Sequence, residues 1–355
     1  MVATLWVDKH RPLTLEKLDY HKTLNDQLKA LASAGDLPHL LVYGPSGSGK
    51  KTRIMAVLRQ VFGAGVEKIK TEVKIFTTPS GVKKEIHIVS SNYHIELTPS
   101  DVGIYDRVIV QDLLKDIGQT QQVDQSAKRS FKVVIINEAD TLSRDAQAGL
   151  RRTMEKYMTN LRIILCCNST SKIISPIRSR CLLVRVPAPS VAEIATGLQR
   201  VAHKEKIQLP EDFARRVAEE SNGNMRRAAL MLEAAKVQQY PFQENQEVVV
   251  PDWEEFIAGV ARSILQEQTP AQLLSIRGHF YELLTHMIPA DTIIRTLAFM
   301  LIKNVSDDMK GKIVELAAQF EHQIRLGSKP IIHLEAFVAR FMAVYKRWLL
   351  ELQNC

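Results

Sequence analysis

Cysteine is scarce in this sequence, and the few that occur have no metal-binding or disulfide spacing. Cys166, Cys167, Cys181 and Cys355 form no C-x-x-C pair, which argues against a zinc site or a disulfide framework and fits a reducing compartment. Long apolar runs are lacking too, because no stretch approaches the ~18 apolar residues of a membrane span. The first residues, MVATLWVDKHRP, have no apolar signal-peptide core. The sequence therefore predicts neither secretion nor membrane insertion.

The composition is that of a globular protein with an uneven charge. The chain has 355 residues, of which 45% are hydrophobic and 24% charged, enough for two or three domains with real cores. Residues 251–355 hold 11 Lys/Arg and 12 Asp/Glu, which leaves 36 against 27 for residues 1–250. A basic first part is compatible with a polyanion such as nucleic acid, and equally with a solvated basic surface.

Short β-rich runs alternate with helical stretches from about residue 36 to 187. This alternation predicts βαβ units, a mainly parallel sheet and helices on both of its faces. Ligands in such folds bind at the carboxyl ends of the strands. Residues 71–92 interrupt the rhythm with two alternating segments on either side of Pro79-Ser80-Gly81, which predicts an inserted hairpin.

The second half of the chain is predicted to be helical. Pro187-Ala188-Pro189 ends the α/β part, and Ser190 with Glu193 predicts a capping box at the start of a helix. Further helices are predicted over 210–220 and 225–238, followed by a linker over 240–252. The predicted domains are an α/β domain over 1–187, a small helical domain over 188–240 and a helix-rich domain over 250–355.

A glycine-rich motif, GPSGSGKK, lies between a predicted apolar strand and a predicted helix, which is the context of a Walker A phosphate-binding loop. Its glycines let backbone N–H groups turn toward a phosphate, and the helix N-terminus adds a favourable dipole. Its lysine supplies a charge for the terminal phosphates. The motif predicts a nucleotide site formed by Gly44, Pro45, Ser46, Gly47, Ser48, Gly49 and Lys50.

Two positions that normally serve Mg²⁺ are altered. Lys51 stands where a Ser or Thr hydroxyl is expected, and Thr52 is one place too late because a helix turns about 100° per residue. Asn137 ends the strand FKVVIIN where a metal-binding carboxylate is expected, although Glu138 remains where a general base would stand.

Two interpretations of the altered positions stay open at this point. An ammonium of Lys51 near the vacated metal position would allow nucleotide binding with little or no hydrolysis. If Lys51 instead points to solvent, Thr52 or water completes the metal shell and turnover survives. The sequence thus makes Mg²⁺ doubtful at this site and leaves Glu138 as a vestigial base.

Five motifs occur in a recognisable order: LWVDKHRP over 5–12, PHLLVYGPSGSGKKT over 38–52, AQAGLRRTMEKY over 146–157, IRSRC over 177–181 and LGSKPIIHLEAFVARFM over 326–342. Together they resemble the small subunits of replication factor C, the eukaryotic sliding-clamp loader of the AAA+ class. The irregular loop and Asn137 look most like the small subunit whose ATP site is degenerate. The resemblance covers essentially the whole chain.

The resemblance implies an AAA+ nucleotide domain, a helical lid and a helical collar that assembles with sister subunits into a heteropentamer. Asn168 matches the sensor-one polar residue and Arg226 matches sensor two; a strand-capping Asn and a solvated helix Arg are the structural alternatives. The Lys51 and Thr52 positions would border the same site. An adenine pocket is implied for Trp6, Val7, Asp8, Arg11 and Pro12, with His10 departing from the family's Tyr.

Arg180, in Ser179-Arg180-Cys181, matches the arginine finger that these subunits donate to a neighbour's ATP. A guanidinium supplied in trans stabilises charge on the transferred phosphoryl group, with rate effects on the order of 10³ to 10⁵. The alternative is an interface ion pair. For DNA, Arg107 at a helix start is the first candidate, with Lys83 and Lys84 in the hairpin weaker; each of them is otherwise a solvated charge.

The resemblance further implies a nuclear complex that binds ATP or ADP, sister subunits, a sliding clamp and primer-template DNA. It implies that most ATP is hydrolysed at other subunits. Two rivals remain: an autonomous P-loop ATPase or kinase, which needs a working magnesium site, and a scaffold whose nucleotide pocket is vestigial.

Overall fold

The computed structural model describes residues 4–77, 83–119, 131–243 and 246–353. The chain divides into two compact units, Met1–Val249 and Val250–Cys355. The predicted division of the first unit near residue 187 stays a prediction.

A seven-stranded sheet forms the framework of the first unit. Its strands are β1 Leu40–Tyr43, β2 Lys70–Thr77, β3 Lys83–Ser90, β4 His94–Leu97, β5 Lys132–Ile136, β6 Leu161–Cys167 and β7 Leu182–Arg185, in the order β2-β3-β4-β5-β6-β1-β7. The five strands from β4 to β7 in that order are parallel, whereas β3 runs antiparallel to both β2 and β4. The predicted parallel sheet and the inserted hairpin are thus confirmed, although the turn at Pro79-Ser80-Gly81 lies outside the described residues.

Nine described helices belong to the first unit and five to the second. The first nine are α1 Trp6–Lys9, α2 Lys22–Ser33, α3 Lys50–Phe62, α4 Asp106–Gln119, α5 Arg144–Lys156, α6 Ser175–Arg178, α7 Val191–Lys204, α8 Glu211–Glu220 and α9 Met225–Gln238. The second unit contains α10 Asp252–Gln266, α11 Pro270–Thr285, α12 Ala290–Lys303, α13 Asp307–Leu326 and α14 Pro330–Gln353. Short 3₁₀ turns lie at Leu15–Lys17, Ala64–Glu67, Pro99–Tyr105 and Ala139–Thr141.

Each face of the sheet packs against its own pair of helices because neighbouring strand residues point to opposite faces. Cys166 packs with α2 and α3, and Cys167 packs with α4 and α5. Burial raises the pKa of the Cys167 thiol to about 12. The two cysteines therefore face opposite sides of the sheet, and the raised pKa makes Cys167 a poor nucleophile.

Helices α7 to α9 form a separate apolar cluster in the first unit, and Trp6 packs into it from the N-terminal segment. The predicted capping box is present, since the Ser190 hydroxyl accepts from the Glu193 N–H and the Glu193 carboxylate accepts from the Ser190 N–H. Asn224 caps α9 by accepting from the backbone N–H of Arg227. These caps fix where the two helices start, beside the carboxyl ends of the strands.

The second unit is a helical domain around one apolar core, in which Phe280, Phe337 and Phe341 are fully buried. Aromatic side chains of this size supply much of the burial that stabilises a helical bundle. None of the helices in the described parts of the chain is long and apolar enough to cross a membrane.

Candidate nucleotide-binding site

The loop between β1 and α3 has a backbone that its glycines alone accommodate. Gly47 and Gly49 have φ of +73° and +85°, a region that side-chain-bearing residues rarely adopt. A Cβ at Gly47 would lie 1.7 Å from the Asn224 amide oxygen, and one at Gly49 would lie 2.3 Å from the Tyr20 hydroxyl. The turn therefore brings the backbone close to the start of α9, in the arrangement that lets loop N–H groups face a phosphate.

Lys50 is held in place by three oxygen acceptors. Its ammonium donates to the carbonyls of Gly44 (2.8 Å) and Pro45 (2.9 Å) and to Oδ1 of Asn168 (2.9 Å). Only 9% of the residue is exposed, and burial lowers its pKa. The structure thus brings the predicted phosphate-binding lysine together with the residue that matches sensor one.

A buried guanidinium supports this loop from behind, and the motifs did not reveal it. Arg53 is 1% exposed; it donates to the carbonyls of Ser48 and Tyr20 (3.0 Å each) and to Oδ1 of Asn25 (3.1 Å). Its guanidinium also stacks 4.5 Å from the centre of the Tyr20 ring. One sequence signal pointed to it, because Arg53 shares a helical i, i+4 stripe with the apolar Val57.

The two altered metal positions converge on one carboxylate, Glu96 at the end of β4. The Lys51 ammonium lies 2.6 Å from Oε1 of Glu96, and the Asn137 amide donates to the same oxygen at 3.2 Å. Glu96 is 7% exposed. Sequence reasoning missed Glu96 because only the order of the strands places β4 beside β5.

These donors do not fit a magnesium ion. Mg²⁺ takes oxygen ligands in an octahedral shell, whereas the two expected metal positions hold an ammonium at Lys51 and an amide at Asn137, and Glu96 is already paired with Lys51. Glu138, with φ of +51°, accepts from the Ser100 hydroxyl at 2.9 Å. Across the described ranges, no group of three or more His, Cys, Asp or Glu is arranged to hold a metal.

Two adjoining clefts meet at the loop. One, of about 290 Å³, is lined by Lys50, Lys51, Thr52, Asn137, Glu138, Asn168 and Arg226, among others. The second, of about 110 Å³, is lined by Trp6, Val7, Arg11, Pro12, Met225 and Arg226, among others. Arg226 in the first turn of α9 borders both, so a more polar cleft adjoins a more apolar one.

The N-terminal segment is attached to the helices around the second cleft. The backbone N–H of Trp6 donates to Oε2 of Glu233 on α9 (3.0 Å), and the Lys236 ammonium lies 5.0 Å from the centre of the Trp6 ring. Lys9 and His10 lower the pKa of Glu205, the residue after α7, by hydrogen bonding to it. Asp8, in contrast, is exposed and lines neither cleft.

Arg180 lies outside both clefts, on the surface beside α5 and α6. Its guanidinium contacts Oε1 of Glu155 through Nε (2.7 Å) and Nη2 (2.6 Å), and it donates to the Pro176 carbonyl at 2.8 Å. One third of the Arg180 side chain is exposed, and its hydrogen bond lowers the pKa of Glu155.

Of the three basic residues predicted for DNA, only Arg107 has a described side chain. It is half exposed at the start of α4 and lies 3.6 Å from Asp145 in the first turn of α5. The buried Asp106 accepts from the Ser143 N–H and hydroxyl, which joins the starts of the two helices. The side chains of Lys83 and Lys84 lie outside the described part of the chain.

Comparison with known proteins places this site in a family. The model named "Replication factor C subunit 3, C-terminal domain" matches residues 253–349, "RCF1/5-like, AAA+ ATPase lid domain" matches 196–237, and "DNA polymerase III, delta subunit" matches 20–190. Replication factor C subunit 3 of Mus musculus is 55% identical over 98% of this chain and 97% of its own. Subunit 5 of Neurospora crassa is also 55% identical, over 98% and 99%.

Comparison with solved structures shows which fold this chain shares. Thermotoga maritima RuvB, a Holliday junction branch migration motor, aligns with a TM-score of 0.50 at 15% identity over 73% of this chain and 80% of its own. Fold and loop together define an AAA+ nucleotide-binding protein. Within that class, the chain belongs to the replication factor C family, in the branch of the subunits named 3 and 5.

Proposed function

We propose that this chain is a subunit of a heteropentameric nuclear replication factor C, which uses ATP to load a sliding clamp onto primer-template DNA. Two relatives that are named as subunits of that complex align with this chain over nearly their whole length. Its own pocket holds ATP or ADP with little or no hydrolysis, and Arg180 serves the ATP of a neighbouring subunit.

One observation carries the proposal for the pocket: Lys50 is held by three oxygen acceptors while Lys51 and Asn137 pair with Glu96. The first arrangement suits phosphate binding, since a preorganised ammonium meets the terminal phosphates without reorganising. The second engages the two positions that normally serve the metal ion on which P-loop hydrolysis depends. Without that metal ion, Glu138 would not complete a hydrolytic site.

The exposure of Arg180 supports its role outside the chain. A finger acting in trans must reach a neighbour's phosphates, so it belongs on a surface and needs a contact that it can leave. The pair with Glu155 is of that kind, because exposed ion pairs contribute only about 0–1 kcal/mol.

The proposed DNA contacts come from the N-termini of α4 and α5. Helix N-termini and basic side chains bind backbone phosphates without reading sequence, and Arg107 lies at the first of these ends. The net positive charge of the first 250 residues is consistent with this surface.

Clamp loading by the reconstituted complex tests the proposed function. The five-subunit complex containing this chain is mixed with ATP, the sliding clamp and primed circular DNA, and clamps retained on the DNA are counted. Omission of the chain is expected to abolish loading. Full loading without it contradicts the proposal, and robust ATP turnover by the isolated full chain would favour the autonomous ATPase.

A further inference from the structure

Lys51 and Asn137, which stand where magnesium ligands are expected, both contact Glu96. Lys51 extends from the first turn of α3 to Glu96 at the end of β4, and Asn137 at the end of β5 donates to the same Glu96 oxygen. β4 and β5 are neighbours in register, with Glu96 opposite Ile135. A hydroxyl at position 51 would be too short to reach this carboxylate, so the contact requires the long lysine side chain.

We infer that the Lys51–Glu96 ion pair, steadied by Asn137, occupies the positions that would bind the divalent cation, so that this pocket takes a nucleoside di- or triphosphate without Mg²⁺. The inference rests on the proposed nucleotide binding and adds the ionic form of the ligand. It also gives Glu96 the task of positioning Lys51 beside the phosphate cleft, which Lys51 and Asn137 themselves line.

The charges make these three residues depend on one another. Glu96 is nearly buried, and a carboxylate without a partner there would repel phosphate and would itself be costly to bury. Lys51 cancels that charge, and the neutral amide of Asn137 donates to it where an Asp would repel it. An Asp at 137 beside Lys51, or Glu96 without Lys51, would leave the site unbalanced.

The contacts of Glu96 explain why the metal finds no protein ligand at these positions. Mg²⁺ in a P-loop bridges protein oxygens and phosphates. Here a lysine stands where the bridging hydroxyl is expected, and the Glu96 oxygen already accepts from Lys51 and Asn137. The phosphate charge is then met by Lys50, by the loop N–H groups and by Arg226, all of which border the same cleft.

The first test measures equilibrium binding of a fluorescent ADP, N-methylanthraniloyl-ADP, to the full chain with saturating Mg²⁺ and with EDTA. The two dissociation constants are expected to agree within about twofold, because Lys51 and Asn137 offer no oxygen ligand that would stabilise a bound metal ion. Binding that weakens roughly tenfold or more in EDTA overturns the inference while leaving the proposed nucleotide site standing. Absence of binding in both solutions removes both.

A double-mutant cycle tests the pairing. Lys51→Met is expected to weaken binding in EDTA by roughly tenfold, because it leaves Glu96 charged without a partner, although the half-exposed lysine limits the loss. Glu96→Gln alone is expected to weaken binding by less than Lys51→Met, because Lys51 loses its positioning partner but keeps its charge. The double variant Lys51→Met/Glu96→Gln should return to within roughly threefold of the unaltered chain. Equal losses in Lys51→Met and the double variant would show that the pair does not act as a unit and overturn the inference.

A variant that restores the ordinary metal-binding residues tests the inference through the Mg²⁺ dependence of nucleotide binding. A purely structural role of Lys51 would not change that dependence. Lys51→Thr combined with Asn137→Asp recreates the ordinary donors, and Mg²⁺ is expected to tighten its nucleotide binding roughly tenfold over EDTA. Lys172→Met, at an exposed position, is the matched control and should leave the metal independence intact. Metal dependence in this control would count against the pair as its cause.

Discussion

The nucleotide pocket and the surface around Arg180 each hold a basic side chain that we propose meets ATP phosphates, but they hold it differently. In the pocket, Lys50 is nearly buried and bonded to three oxygens. At the surface, Arg180 is one-third exposed and rests on one carboxylate and one carbonyl. A group that must stay with a bound nucleotide needs the first arrangement, and a group that must reach another subunit needs the second.

We propose that nucleotide binding and hydrolysis are separated within this chain. The glycine turn and Lys50 offer what phosphate binding requires, whereas Lys51 forms an ion pair with Glu96 and Asn137 donates a hydrogen bond to the same carboxylate. The catalytic contribution is therefore proposed to lie at Arg180 rather than at Glu138. Each prediction below perturbs one of the two regions.

The largest effect is expected at Arg180. Arg180→Ala in the reconstituted complex should slow hydrolysis at the neighbouring site that it serves by roughly a thousandfold, because a trans guanidinium no longer stabilises the transferred phosphoryl group. Single-turnover phosphate release measures this rate. Arg180→Lys keeps the charge but lacks the planar guanidinium, so it should retain only part of the hydrolysis rate that Arg180→Ala loses. Unchanged ATPase and clamp-loading rates for Arg180→Ala would eliminate the finger.

The next effect belongs to the pocket. Lys50→Ala should weaken fluorescent ADP binding to the full chain by roughly 10- to 100-fold, since hydrogen bonds to charged groups contribute about 1.5–3 kcal/mol. The matched control is Lys204→Ala, an exposed lysine at the end of α7. Equal losses in the two variants would mean that general positive charge, rather than the loop, binds the nucleotide.

A third prediction concerns the support behind the loop. Arg53→Met should lower the melting temperature by several degrees, because it leaves the Ser48 and Tyr20 carbonyls and the Asn25 amide without their donor, at about 1–3 kcal/mol for each group left unsatisfied. Thermal unfolding followed by circular dichroism measures it. Arg215→Met on α8, whose side chain is two-thirds exposed, should have almost no effect. If both variants melted at similar temperatures, Arg53 would not stabilise the fold through its contacts behind the loop.

The smallest effect is expected at Glu155. Because Arg180 lowers its pKa, Glu155 stays ionised at neutral pH, and the contact is lost only as the pH falls through that lowered value. Glu155→Gln at pH 7 removes the charge directly and should raise the neighbour's hydrolysis rate by up to about fivefold, the range of an exposed ion pair. A large fall in rate would instead give Glu155 a part in the chemistry.

The elements that sequence reasoning located best have strong local signals. Both segments of the hairpin and the capping box at Ser190 follow from alternation and capping rules that act within a few residues. The structure agrees with each.

The parts of the site that escaped prediction depend on distant elements. Glu96 meets Lys51 only because β4 lies beside β5 in the sheet, and strand order is not written in any one segment. Arg53 is buried because Asn25 and Tyr20 come from an earlier part of the chain. The family motifs pointed to Asp8 with its neighbours, yet the turn of α1 leaves Asp8 exposed.

One measurement tests the central claim most directly: single-turnover hydrolysis of radiolabelled ATP by an assembled complex in which the P-loop lysines of all the other subunits are replaced by alanine. Only the pocket described here then keeps its P-loop lysine. The account predicts about one ATP retained per complex, with no phosphate released on the time scale of clamp loading. Phosphate release at the rate of an ordinary AAA+ site would contradict it.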